Sequence, residues 1–235
     1  MPLELAITGT DTGVGKTKVT RLIVQGLRAL GRRVWVHKPV ACGGWDGCSS
    51  EDGRALREVI GDDQPFGSVC PHEFPEPASP HLAAAADGWR LHTPVLRGTI
   101  ASLRRGQDLI VEGAGGLLTP MTDDRTTLMD LCDLPLLIVT RPHLGTLNHT
   151  ALTARVAGDR AIGLILNHHE ALPDSVATRH AAEELVAVTG LPLLVEIPFG
   201  GGEDPGDAQA VAEVVLAAFS ARRDRISQST SPAPV

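Results

Sequence analysis

The sequence predicts one α/β domain built on a mostly parallel sheet with helices on both faces. Three observations carry that expectation. Apolar runs of strand length alternate with helical patterns along the chain. No repeat, heptad or linker divides it. Its 235 residues, 43% of them hydrophobic, suffice for a sizeable core in a class of domain that can exceed about 200 residues without splitting.

The first predicted strand, residues 3–8, leads straight into Gly9-Thr10-Asp11-Thr12-Gly13-Val14-Gly15-Lys16-Thr17-Lys18. A helix follows, with Val19, Leu22, Ile23, Gly26, Leu27 and Leu30 at helical spacing and Gly31 placed to close it in a left-handed conformation. A glycine loop between strand and helix turns successive backbone N–H groups toward an anion, and the helix dipole adds to the attraction. From this loop Lys16 reaches terminal phosphates and the Thr17 hydroxyl can ligate magnesium. The expected ligand is therefore a nucleotide. The loop is one residue longer than the usual spacing, because Thr10 stands where glycine would fall and Gly9 lies one position earlier.

Residues 33–40 read as a second strand ending in Lys38-Pro39. Proline ends a ladder, and ligands of parallel sheets bind beyond the carboxyl ends of strands, so Lys38 should face the same crevice as Lys16. Residues 41–52 read as loop, and Asp52 precedes a helix over 54–60. Asp52 suits an N-cap or a metal ligand, and spacing alone leaves both open. The segment 61–80 is irregular and proline-rich, with 76–81 a candidate wall of the site.

Helices are expected over 81–87 and 94–105, and a strand over 108–112. Glu112 ends that strand and is followed by Gly113-Ala114-Gly115-Gly116, glycines that let a backbone approach a ligand closely. A carboxylate there is costly without a partner. Magnesium or an internal Lys or Arg would supply it. A strand over 134–140 precedes Gly145-Thr146-Leu147-Asn148, which opens a helix and offers either an anion site or ordinary capping.

The strand over 161–167 ends in Asn167, whose amide suits a purine edge. His168 and His169 are adjacent on extended chain and point to opposite faces, which argues against a two-histidine metal site. A final strand spans 191–198 and a helix 207–221, and the polar residues 222–235 read as a disordered tail outside a domain of residues 1–221.

Composition narrows the partners. The formal charge of −7, 3% aromatic residues and no tyrosine argue against nucleic-acid and anionic-membrane binding. No apolar run approaches the roughly 18 residues of a membrane span, and the start of the sequence shows no targeting pattern. A cytoplasmic protein with a small-molecule partner is expected. Cys42, Cys48, Cys70 and Cys132 lack paired Cys-x-x-Cys spacing and read as free thiols.

Five motifs together resemble one family. Residues 9–17, Lys38-Pro39-Val40, Glu76-Pro77-Ala78-Ser79-Pro80-His81, Val111-Glu112-Gly113-Ala114-Gly115-Gly116 and Leu144-Gly145-Thr146-Leu147-Asn148-His149 look like dethiobiotin synthetases, in order and across most of the chain. The resemblance implies a P-loop NTPase-type fold and an ATP- and magnesium-dependent ligase of biotin synthesis. It would close a cyclic urea on 7,8-diaminononanoate with carbon dioxide, through a carbamate and its phosphoric anhydride. It implies that Lys16, Lys38 and Thr12 act in catalysis and that Thr17, Asp52 and Glu112 hold magnesium. Gly13, Val14, Gly15, Lys18, Gly113, Ala114 and Gly115 would line the nucleotide phosphates, with Asn167, His168, Pro198, Phe199 and Gly200 around the base. Thr12, Lys38, Cys42, Gly115, Gly116 and Leu117 would line the substrate pocket. Gly145, Thr146, Leu147 and Asn148 would reach the substrate carboxylate from a neighbouring subunit, implying a homodimer.

Two residues depart from the family pattern: Cys42 stands where a hydroxyl residue is usual, and Gly13 where some members carry an acid. Amide-forming ATPases that act on a tetrapyrrole acid share the loop but usually carry a fused glutamine-hydrolysing domain, for which this length leaves no room. Partitioning and septum-placement ATPases carry a lysine early in the loop, where this chain has Thr8-Gly9-Thr10.

Overall fold

The computed structural model describes residues 1–171, 175–201 and 204–229. The chain runs β1 (Glu4–Gly9), α1 (Lys16–Ala29), β2 (Val34–His37), β3 (Val40–Cys42), α2 (Glu51–Ile60), α3 (Phe66–Val69), β4 (His72–Phe74), α4 (Pro80–Ala86) and α5 (Thr93–Leu103). It continues with β5 (Asp108–Gly116), α6 (Leu128–Leu131), β6 (Leu136–Thr140), α7 (Thr146–Ala157), β7 (Ala161–Asn167), α8 (Val176–Thr189), β8 (Leu193–Ile197) and α9 (Pro205–Ser229).

The main sheet has the order β2-β5-β1-β6-β7-β8, and every pairing in it is parallel. Successive side chains of a strand serve opposite faces. Leu5, Ile7 and Ile110 accordingly pack with α1, α2 and α9 in one core. Ala6, Leu109 and Val111 pack on the other side with α4 to α8. Both faces are covered, which is why β1, β5 and β6 read as nearly unbroken apolar runs. The carboxyl ends of β1, β2 and β7 deliver the glycine loop, Lys38 and Asn167 to one edge of the sheet, while Glu112 sits mid-way along β5, paired with Ile7, and not at the strand end expected for it.

Several expectations need correction. The second strand breaks at Lys38-Pro39: β2 ends at His37, and Lys38 N donates to Val69 O at 2.8 Å instead of to the main sheet. Val40 restarts as β3 in a separate parallel pair with β4. The irregular segment 61–80 contains both α3 and β4, and α6 and α8 have no counterpart among the expected elements. β5 runs through the glycines to Gly116, with a register irregularity against β1 between Ile7 and Gly9.

The expected disordered tail is helical from 222 to 229, because α9 continues to Ser229. Buried Val215 and Phe219 anchor the preceding turns and Arg222 Nε donates to Asp159 O at 2.9 Å, so arginine-rich residues of good helix propensity simply extend the helix. Residues 230–235 of that tail lie outside the described residues.

Candidate active site

The loop between β1 and α1 needs glycine where it turns. Gly13 has φ +73° and Gly15 has φ +88°, the left-handed region that side chains resist. Gly15 immediately precedes α1 and has no side-chain cap, leaving the first N–H groups of that helix free for an anion. The loop is clamped from β7. Asn167 is fully buried and donates from Nδ2 to Val14 O at 2.9 Å, so close that a Cβ on Gly15 would lie 2.1 Å from that nitrogen.

The amide expected to read a base is thus half committed to the loop. Its Oδ1 is buried without a hydrogen-bond partner.

Four side chains meet beyond the loop. Thr17 Oγ1 lies 2.7 Å from Asp52 Oδ1 and 2.6 Å from Glu112 Oε1. Lys38 Nζ lies 2.6 Å from Asp52 Oδ2 and 2.5 Å from the same Glu112 Oε1. Glu112 is 0% exposed and Lys38 3%. Burial opposes the charge of Lys38, but Glu112 and then Asp52 outweigh it and raise its pKa. Lys16 has the opposite balance: burial, then the nearby charge of Lys38, lowers its pKa to about 8. Lys16 Nζ meanwhile donates to Asp11 O at 3.0 Å.

Asp52 does not cap α2. Ser50 does, accepting from Gly53 N at 3.0 Å, and Glu73 from β4 holds Ser50 by accepting from its N and Oγ. Asp52 therefore sits within the first turn of the helix, with its carboxylate turned to Thr17 and Lys38.

These groups open onto a cavity of about 620 Å³. Thr12, Gly13, Gly15, Lys16, Thr17, Lys38, Cys42, Asp52, Ala114 and Gly115 line it, as does the proline-rich wall Pro77-Ala78-Ser79-Pro80. Burial pushes the Cys42 thiol up to about 11, so it is a neutral wall group. Thr119 and His169 also line the cavity and carry no local sequence signal. Thr119 Oγ1 accepts from Gly116 N at 2.9 Å and so shapes the glycine turn from three residues away.

Other expected site residues lie elsewhere. Gly116 and Leu117 border a neighbouring groove with Thr10, Leu118, Leu152 and Val156. Gly145 begins α7 with φ +93° and no side-chain cap, while Thr146 Oγ1 sits 2.8 Å from Thr140 Oγ1, so neither Thr146 nor Asn148 caps that helix. His168 pairs with Glu196 at 2.7 Å. His169 instead groups with His143 and Glu170, whose ligand-type atoms all lie within 4.8 Å of one another. Pro198, Phe199, Gly200, Val14, Lys18, Gly113, Leu147 and Asn148 do not line the cavity.

A family model described as an AAA domain matches residues 4–201. The ATP-dependent dethiobiotin synthetase BioD of Anaeromyxobacter dehalogenans (strain 2CP-C) is 40% identical over 186 residues, covering 76% of this chain and 82% of that protein. This chain belongs to the dethiobiotin synthetase family. A second relative, ATP-dependent dethiobiotin synthetase BioD 1 of Escherichia coli (strain K12), is 33% identical over 220 residues, 90% of this chain and 96% of that one. Among solved structures, a plasmid partition protein of Borrelia burgdorferi B31 bound to AMPPNP aligns with a TM-score of 0.53 and 13% identity over 92% of this chain and 98% of that one. That likeness shows the fold alone.

A dethiobiotin synthetase that uses magnesium needs hard oxygen donors beside the phosphate loop. Thr17, Asp52 and Glu112 present hard oxygens to one point, Glu112 Oε2 is buried without a partner, and the cation now among them belongs to the protein. The donor set fits magnesium.

Proposed function

We propose that this chain catalyses the ATP-dependent formation of dethiobiotin from 7,8-diaminononanoate and carbon dioxide, a step of biotin synthesis. The observation that carries the reading is the meeting of Lys16, Lys38, Thr17 and Asp52 at one cavity, with Glu112 buried behind them against Thr17 and Lys38, in a chain whose relatives are named for that activity.

One substrate amine adds to carbon dioxide to give a carbamate. A carbamate oxygen then takes the γ-phosphoryl group of ATP with release of ADP, and the second amine attacks the carbonyl carbon, loses a proton and expels phosphate. Such transfer asks mainly for positioning and charge neutralisation. The N–H groups of residues 13–16 and the ammonium of Lys16 bind the phosphates. Thr17, Asp52 and Glu112 would hold magnesium, which would supply charge neutralisation to the phosphates. Lys38 sets its ammonium against the carbamate and the charge that develops on transfer. Thr12 and the backbone of Gly115 shape the substrate pocket. Asn167 Oδ1, still free to accept a hydrogen bond, suits an exocyclic amine of a base.

The working unit is a homodimer. Leu144, 94% exposed, stands next to Gly145 at the start of α7, and exposed Leu118, Leu152 and Val156 line one groove; a second copy would cover this apolar surface. Among the described residues no helix is long and apolar enough to cross a membrane. Four free thiols suit a reducing compartment such as the cytoplasm.

The deciding experiment supplies purified protein with ATP, magnesium, bicarbonate and 7,8-diaminononanoate, and follows phosphate together with the mass of the organic product. The expected result is a product heavier by one carbonyl less two hydrogens, formed one-for-one with phosphate. ATP binding with no diamine-dependent phosphate would sink the reading.

A further inference from the structure

The position among Thr17, Asp52 and Glu112 is not an open metal site. The ammonium of Lys38 fills it, 2.6 Å from Asp52 Oδ2 and 2.5 Å from Glu112 Oε1, while the Thr17 hydroxyl bonds the other Asp52 oxygen and the same Glu112 oxygen. Every oxygen that would ligate magnesium, apart from the orphaned Glu112 Oε2, is already engaged. We infer that Lys38 is an exchangeable placeholder: its ammonium substitutes for the metal in the nucleotide-free protein, and metal loading drives it out of this nest and into the cavity. The inference rests on the magnesium reading of those three residues and concerns how that site is regulated.

First, a carboxylate buried away from water is costly unless a cation lies beside it, and Glu112 is wholly buried. Lys38 is the cation in contact with both Glu112 and Asp52. Second, magnesium binds oxygen at about 2.0–2.1 Å and tolerates little distortion. An ammonium cannot keep 2.5 Å contact with Glu112 Oε1 while that oxygen turns to a dication, because two cations on one buried oxygen repel each other strongly. Third, Lys38 already lines the cavity with Thr12, Gly115 and Lys16, so its tip has space there to move into.

The consequence is an order of events. Before metal–nucleotide binding, the charge meant for the reacting anion is locked against two carboxylates. The same arrival that positions the phosphates releases it. The site that gathers an anionic carbamate is thus completed only after the phosphoryl donor is in place.

The sequence makes the test direct, since lysine occurs only at positions 16, 18 and 38. Full-length protein carrying ¹⁵N at lysine Nζ gives at most three ammonium signals. The Lys38 signal, identified by its loss in Lys38→Arg, should be protected from solvent exchange in EDTA, and it should stay so with ADP alone while the Lys16 signal shifts. With ADP and saturating magnesium, saturation being checked by calorimetry, the Lys38 signal should move and its protons should exchange about tenfold faster or more.

A Lys38 signal unchanged at metal saturation overturns the inference. A second measurement is independent of the first. Lys38→Met without nucleotide should bind magnesium about tenfold tighter or more than the wild type, because the competitor is gone. Equal or weaker binding overturns the placeholder role. Dethiobiotin formation is assayed on the same wild-type sample. Product with an immobile Lys38 refutes the placeholder alone, and a displaced Lys38 without product refutes the assigned reaction alone.

Discussion

Replacing Gly15 by alanine tests whether the loop is held as described. The backbone there, φ 88° and ψ 32°, is left-handed, which costs an alanine about 1–2 kcal/mol. Its Cβ would stand 2.1 Å from Asn167 Nδ2 and 3.2 Å from Asn167 Cγ. Asn167 is fully buried and cannot retreat without breaking its bond to Val14 O. A buried carbonyl left unpaired costs about 1–3 kcal/mol more. The expected loss is therefore about 2–5 kcal/mol, or about 4–20 °C in Tm for a chain of this size.

Thermal unfolding followed by circular dichroism measures that loss. Calorimetric titration with a non-hydrolysable ATP analogue should show affinity reduced by about tenfold or more, because the displaced loop misaims its N–H groups. Gly15→Ala combined with Asn167→Ala should lose less than the sum of the two single changes, since removing the amide relieves the clash. A Gly15→Ala protein with wild-type Tm and wild-type nucleotide affinity would refute the reasoning.

Three further outcomes follow from the site. Glu112→Gln should raise the magnesium concentration for half-maximal turnover by about 10–100-fold, the range seen even for outer-sphere partners of a metal; an unchanged magnesium titration returns Glu112 to a purely structural pairing. Lys16→Met should lower ATP-dependent turnover by about 100-fold or more yet leave Tm within a few degrees, because burial already disfavours the charge of Lys16. Turnover near wild type would remove Lys16 from the mechanism. His37, buried with Nδ1 2.8 Å from Ser68 O, is lowered by burial to about 4 from 6.5. Between those values the unfolded chain binds the extra proton, so stability should fall as pH drops from 6.5 to 4 by about 3 kcal/mol from this residue. Urea unfolding across that range should show a shallower fall for His37→Gln, and equal slopes would refute the assignment.

Features set by neighbouring residues were legible in the sequence. The strand, glycine loop and helix over residues 4–29 form where periodicity and glycine spacing put them, and Gly31 closes α1 at φ +72°. Glu112, Lys38 and Asp52 were recognisable as candidates because charged groups at strand ends or helix starts stand out against apolar flanks. Their partners were not recognisable. Ser50 and Asp52 are both good capping residues, and the choice falls to Glu73, which reaches Ser50 from a short strand with no alternating pattern of its own. The clamp from Asn167 to Val14 spans 153 residues of chain, beyond any local signal. α8 buries only Ala181 and Leu185 among its described side chains, too weak an apolar stripe to mark a helix. Thr119 and His169 enter the cavity through the path of the loops that carry them.

The position of β1 in the sheet bears on how the protein is made. Both of its neighbours come from far downstream, β5 at Asp108–Gly116 and β6 at Leu136–Thr140. As the chain leaves the ribosome, Leu5, Ala6 and Ile7 stay without strand partners until β5, which ends at Gly116, has followed them out. Such distant pairing slows folding and leaves apolar segments open to aggregation in the meantime. Nucleotide binding comes later still, since the loop that follows β1 is clamped only when Asn167 has emerged. ATP can therefore stabilise only a chain whose sheet has already assembled through β7.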